Sequence, residues 1–179
     1  MLLSDFINYP VTDIISTGIV SIDNRSAEFL PDLKILHFEI AGKYVVFESI
    51  KQFSEIKISV SEKLRYYDVD DEDMLTSYMS IANIILWDIY DRGNKTAEIY
   101  LYDQKSKDNK SIICDAVKIN LLNGQTIFLD PKYYFGINIG GSDQEKRWFD
   151  NLDKDERKNV QIKIITADDV YISKLGSDF

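Results

Sequence analysis

The sequence predicts a mainly β domain, built either as two antiparallel layers or as a partly closed barrel, with one or two short helices. An α+β arrangement is the open alternative. Three observations carry the prediction. The first is repeated alternation of apolar and polar residues, clearest in Lys34–Ile40, Glu55–Val60 and Thr96–Tyr102; a period of two marks a half-buried strand. The second is an Asn123-Gly124 turn between two such runs, a strong hairpin signal of the type I′ kind. The third is composition: 11 Tyr and 9 Phe against only 8 Gly and 3 Pro, which favours sheet.

In chain order, Val11–Asp23 reads as a strand with a bend at Gly18, and Asn24–Asp32 as a loop. Lys34–Ile40 and Tyr44–Ile50 form a hairpin about Ala41-Gly42, with His37 and Glu39 on the face opposite Leu36 and Phe38. In Glu55–Val60, Ile56, Ile58 and Val60 face the core, while Glu55, Lys57 and Ser59 face water. The spacing of Met74, Leu75, Tyr78, Met79 and Ala82 points to a helix over about Asp71–Ser80, with a further strand as the competing reading; Ile84–Tyr90 then reads as a strand. Asp103–Lys110 is a lysine-rich exposed loop tip.

Strands from Ile84 to Ile139 meander in order, which requires antiparallel pairing. Pro131 breaks the ladder ahead of a last run, Tyr133–Ile139. Ser142 and Glu145 have the spacing of a capping box at the start of a short helix, whose apolar face carries Trp148, Phe149 and Leu152. Asp153–Asn159 is a charged connector, Val160–Ile165 a strand, and the tail can add another. Both Trp87 and Trp148 are core candidates. No linker divides residues 1–179, so one domain is expected, and roughly nine or ten strands exceed what one flat sheet holds.

Charge and composition narrow the function classes. The formal charge is −9, which disfavours binding to phosphate backbones and favours basic protein partners. A single cysteine, Cys114, forms no internal disulfide and fits a reducing, cytoplasmic setting, as a small buried hydrophobe on a strand. The N-terminal stretch lacks a charged n-region, and no apolar run approaches the roughly 20 residues of a membrane helix.

No catalytic fingerprint is present. The one histidine, His37, reads as structural or incidental and lacks the companions that a triad or a zinc site needs. The acidic run fails the calcium-loop pattern, since counting from Asp68 places Asp73 at the sixth position and Met79 at the twelfth. Gly140-Gly141 lacks the lysine of a phosphate loop and reads as a turn. No cofactor or metal is implied.

The combination that points outward is Tyr66 and Tyr67, followed by Asp68, Asp70, Asp71, Glu72 and Asp73: five carboxylates in six residues beside two aromatic rings. Tyrosine offers rigid amphipathic contact area and is enriched in interfaces. With this run and NGQTIFLDPKYYFGINIGG at Asn123–Gly141, the chain resembles a bacterial immunity protein, of the kind that neutralises contact-dependent growth inhibition or other polymorphic toxins. The resemblance implies a non-enzymatic inhibitor that binds a cognate toxin domain, a nuclease for many such toxins, through an acidic surface. That surface is expected at Tyr66, Tyr67, Asp68, Asp70, Asp71, Glu72 and Asp73, with Asp143 and Glu145 as a second choice. The alternatives are a small-molecule-binding β-barrel, an enzyme of unrecognised type, or an adaptor domain.

Overall fold

The computed structural model describes residues 2–22, 25–66, 74–90, 92–105, 111–133 and 136–174. After a 3-10 turn, Leu3–Phe6, the chain forms β1 (Val11–Ile22), β2 (Ala27–Ile40), β3 (Lys43–Ile50), β4 (Glu55–Ser61) and β5 (Met74–Ser80). There follow α1 (Ala82–Ile85), β6 (Thr96–Tyr102), β7 (Ile112–Cys114), β8 (Ala116–Leu121), β9 (Thr126–Tyr133) and β10 (Gly136–Gly140). The chain continues through α2 (Ser142–Asp150), α3 (Lys154–Asn159), β11 (Gln161–Ile165) and β12 (Val170–Lys174).

The strands make two six-stranded sheets, in the orders β5-β1-β2-β3-β4-β7 and β10-β9-β8-β6-β11-β12, with every pairing antiparallel. There is no closed barrel. One apolar cluster lies between the sheets: Leu36, Phe38, Phe47, Ile56 and Ile58 of the first meet Ile99, Leu101, Val117, Ile119 and Leu129 of the second. A separate cluster covers the far face of the second sheet, where Tyr102, Phe128 and Ile164 pack with Trp148 and Leu152. Among the described residues the first sheet carries no helix on its far face, and that asymmetry positions the candidate site.

The chain passes between sheets at Asp115. Cys114 closes β7 in the first sheet and Ala116 opens β8 in the second. An ion network holds this corner. Glu55 is buried yet pairs with Lys51 at 2.9 Å and Lys105 at 2.8 Å, and Lys105 also meets Asp115 at 2.5 Å. Burial pushes the Glu55 carboxyl up, but the two lysines hold it below its ordinary value. Glu55 therefore does not face water as its alternation predicts, and Lys105 belongs to this clamp rather than to a free loop tip. Cys114 is fully buried, and that burial raises its thiol above the ordinary range.

Several expectations change in the fold. Residues 74–80 form a strand, not a helix, because β1 offers an open edge and pairs with β5 in unbroken register from Ile15↔Ser80 to Ser21↔Met74. Ile84–Tyr90 is not a strand; α1 is followed by an irregular segment. Its backbone is satisfied by the Gln125 side chain, which accepts from Trp87 N at 3.1 Å and donates to Ile85 O at 2.7 Å. Leu86 is buried there, while Trp87 is 71% exposed and is no core residue.

The segment read as a loop over 24–32 enters β2 at Ala27. Beside Gly18 the register breaks, with Asp32–Ile35 of β2 opposite Thr17 alone, and an added Cβ at Gly18 would run into the Leu30 carbonyl. The hairpin turn holds three residues, 122–124, with only Gly124 at positive φ, so it is not type I′. Pro131 interrupts the ladder without ending it: β9 continues to Tyr133, with Pro131 and Lys132 bulged opposite the single residue Ile137 of β10. The connector 153–159 is α3, capped by an Asp153–Glu156 box. At α2 the cap is Gly141, with no side-chain bond.

Candidate functional site

The chain leaving β4 folds back across the uncovered face of the first sheet. Its residues 62–66 are tied down by Arg65, whose backbone N–H donates to His37 Nε2 at 3.1 Å. The Arg65 guanidinium reaches Ser59 Oγ at 3.1 Å and Glu48 at 3.8 Å. Ser61 Oγ donates to Lys63 O at 2.6 Å and tightens the bend. Under this strap, His37 and Val46 are fully buried although both lie on the outward face. His37 is thus on the predicted face but is not exposed. Burial lowers its pKa to about 4, helped by the nearby Arg65 and opposed by the Ile15 backbone. The ring is neutral, with the proton on Nδ1, because Nε2 must accept.

Beside the strap lies an open cleft of about 710 Å³, lined by Asp13 and Ile15 of β1, Glu39 of β2, Tyr44 of β3, Tyr78 of β5, and Glu62, Lys63, Leu64 and Tyr66 of the strap. Sheet register explains the convergence. Asp13 pairs with Glu39, and Glu39 pairs with Tyr44, so the three side chains stand in a row across β1, β2 and β3. Tyr78 enters from the edge strand, opposite Thr17. Tyr66 and Tyr78 are 43% and 56% exposed, while Asp13 and Glu39 are half-buried.

The electrostatics of the cleft are unbalanced. Two carboxylates directly opposite on neighbouring strands repel. Asp13 accepts from Ser80 Oγ at 2.6 Å and Ile14 N at 2.7 Å, both neutral donors. Glu62 pairs with Lys43 at 3.3 Å, an exposed pair. Among the described residues, no cation pairs with Glu39. Burial, then Glu39, Tyr78, Tyr66 and Asp13, raise the Tyr44 phenol above its ordinary value, which records how closely these groups face one another.

Of the residues predicted from sequence, Tyr66 lies in this cleft. Tyr67, Asp68, Asp70, Asp71, Glu72 and Asp73 lie outside the described residues. Asp143 is exposed on the first turn of α2. Glu145 is engaged internally: the Tyr102 hydroxyl donates to it, and Lys118 Nζ meets it at 2.8 Å. This is also why Glu145 does not cap α2. The sequence reading missed Asp13, Glu39, Tyr44 and Tyr78. The available signal was the outward alternation of Glu39 and Tyr44 about the Ala41-Gly42 turn; the partnership with Tyr78 depended on β5 being a strand.

The far face of the second sheet gathers a second set of tyrosines and carboxylates. Tyr100 donates to Glu98 at 2.7 Å, Asn120 donates to the same Glu98 oxygen at 2.9 Å, and Lys118 Nζ stands 4.2 Å from the centre of the Tyr100 ring. Burial, then the neighbouring carboxylates, raise both Tyr100 and Tyr102, which keeps these phenols protonated as donors. Among the described residues no group of three or more His, Cys, Asp or Glu side chains is arranged to hold a metal ion, and no helix is long and apolar enough to cross a membrane. No protein-family model, curated protein or solved structure matches the chain.

Proposed function

We propose that this protein is an inhibitor of the immunity type, binding and neutralising a basic toxin domain, with a nuclease as the expected target, in the cytoplasm. The observation that supports this most is the cleft on the uncovered sheet face, where Tyr44, Tyr66 and Tyr78 surround Asp13 and Glu39. Exposed rings supply desolvated anchors that slow release. Carboxylates that pair with no cation among the described residues supply attraction that speeds encounter with a basic surface. The acidic run Asp68–Asp73 follows Tyr66 and Tyr67 in sequence and adds charge of the same sign. The lone buried cysteine suits the reducing cytoplasm.

A cleft of this volume also falls in the range of small-ligand pockets. The exposure of Tyr66 and Tyr78 favours the protein reading, because small-molecule sites bury most of their ligand. The test is co-expression with the toxic domain of the adjacent gene. The protein should restore growth and co-purify with that domain, and reversing Asp70, Asp71 and Asp73 to Lys should weaken binding and flatten its salt dependence. Growth arrest that persists despite abundant folded protein would overturn the reading.

A further inference from the structure

We propose that the cleft is an arginine-binding site, taking a guanidinium group presented by a loop of a protein partner between the tyrosine rings and the Asp13–Glu39 carboxylates. The partner rests on the inhibitor reading; the chemistry does not.

Three features select this occupant. Cross-strand register places Asp13 opposite Glu39, so two negative charges face each other at one point of the sheet. That arrangement costs stability unless a cation bridges it, and among the described residues no cation of the chain, Lys63 of the lining included, is ion-paired with either carboxylate. Lys43 serves Glu62, while Arg65 is turned away to Ser59 and Glu48. The ligand is therefore cationic. Second, the carboxylate pair is flanked by aromatic rings. A planar guanidinium stacks on tyrosine faces while forking to carboxylate oxygens; an ammonium is a compact, strongly hydrated point charge and stacks less well. Third, the cleft stays open, with Tyr78 and Tyr66 half-exposed at its mouth. A side chain on a protein loop can enter it while the loop backbone rests outside. Lys63, on the strap, is the one like charge in the lining, and it sets a limit on how basic the flanking residues of the loop can be.

The probe is an acetylated, amidated Gly-Arg-Gly peptide titrated into the full chain and followed by NMR, with the Gly-Lys-Gly peptide and guanidinium chloride in parallel. The expected result is saturable shifts at Ile15, Tyr44 and Tyr78, with Kd of order 1 mM as befits a single side chain. The lysine peptide should bind at least about threefold more weakly. Glu39→Gln and Tyr78→Ala should each weaken the arginine peptide several-fold with an unchanged melting temperature, since both side chains reach solvent. Non-saturating shifts, shifts away from the cleft, or equal binding of both peptides overturn the proposal.

The two readings fail separately. If the peptide binds but Glu39→Gln leaves protection from the toxin intact, the site stands and its use in inhibition falls. If the peptide does not bind while protection is normal, the arginine assignment falls and the inhibitor reading remains.

Discussion

The outward faces of the two sheets use the same side chains to opposite ends. On the second sheet, Tyr100 and Tyr102 meet Glu98, Glu145 and Lys118 under α2, and donor, acceptor and cation are matched. On the first sheet, Tyr44, Tyr66 and Tyr78 meet Asp13 and Glu39 and, among the described residues, no helix lies above them and no cation is paired with either carboxylate. The difference teaches that tyrosine beside carboxylate is not in itself a binding signature. A covering element and one correctly placed lysine turn it into structure; without them the same chemistry is left open to a partner.

The sharpest way to break the comparison is to remove the cover. Trp148 is the buried anchor of α2, in ring contact with Tyr102 at 5.2 Å and Phe128 at 6.0 Å. Trp148→Ala should cost about 3–5 kcal/mol in chemical denaturation, as large aromatic truncations do. Arginine-peptide binding at the first sheet should persist in whatever fraction stays folded.

Acid should loosen the strap of the first sheet. His37 is neutral in the fold, with a pKa lowered from 6.5 to about 4. Its stabilising contribution is therefore complete above pH 6.5 and is lost as pH falls toward 4, where the unfolded chain takes up a proton that the folded chain refuses. Linkage sets the loss at up to about 3 kcal/mol. Protonation also removes the acceptor for Arg65 N–H, so amide exchange at Arg65 should accelerate over the same window. His37→Gln should flatten the pH profile of stability there.

Lys118→Met tests the matched network. It strips Glu145 of its cation and should cost about 2 kcal/mol, less than for a fully buried pair because both groups retain some solvent contact. The smallest stability effect is expected at the cleft. Glu39→Gln should change stability by less than about 0.5 kcal/mol or raise it slightly, because it relieves repulsion with Asp13. A large loss in that variant would mean that Glu39 has an internal partner and that the two faces are alike after all.

Much of the fold was legible locally. The alternation of Lys34–Ile40, Tyr44–Ile50 and Glu55–Val60 became β2, β3 and β4 because each has one face against a core, and a period of two follows from that. Trp148 on the apolar face of a short helix was readable for the same reason. The errors fall where a distant group overrode local pattern. The Gln125 side chain satisfied the Ile85–Trp87 backbone and removed the need for a strand. The open edge of β1 drew Met74–Ser80 into the sheet against its helical spacing. Lys51 and Lys105 made the burial of Glu55 tolerable.

The candidate site was legible only at Tyr66. The other members come from β1, β2, β3 and β5, and no local window contains them. Composition and periodicity by themselves determined a mainly β, antiparallel protein of negative charge, with two layers or a partly closed barrel both open, since apolar alternation and the sum of charges are properties of short stretches. Which carboxylates would be neutralised and which left facing solvent was decided by tertiary structure alone. That outcome depends on strand register and on which sheet received a covering helix, and both are set by contacts between residues far apart in the chain.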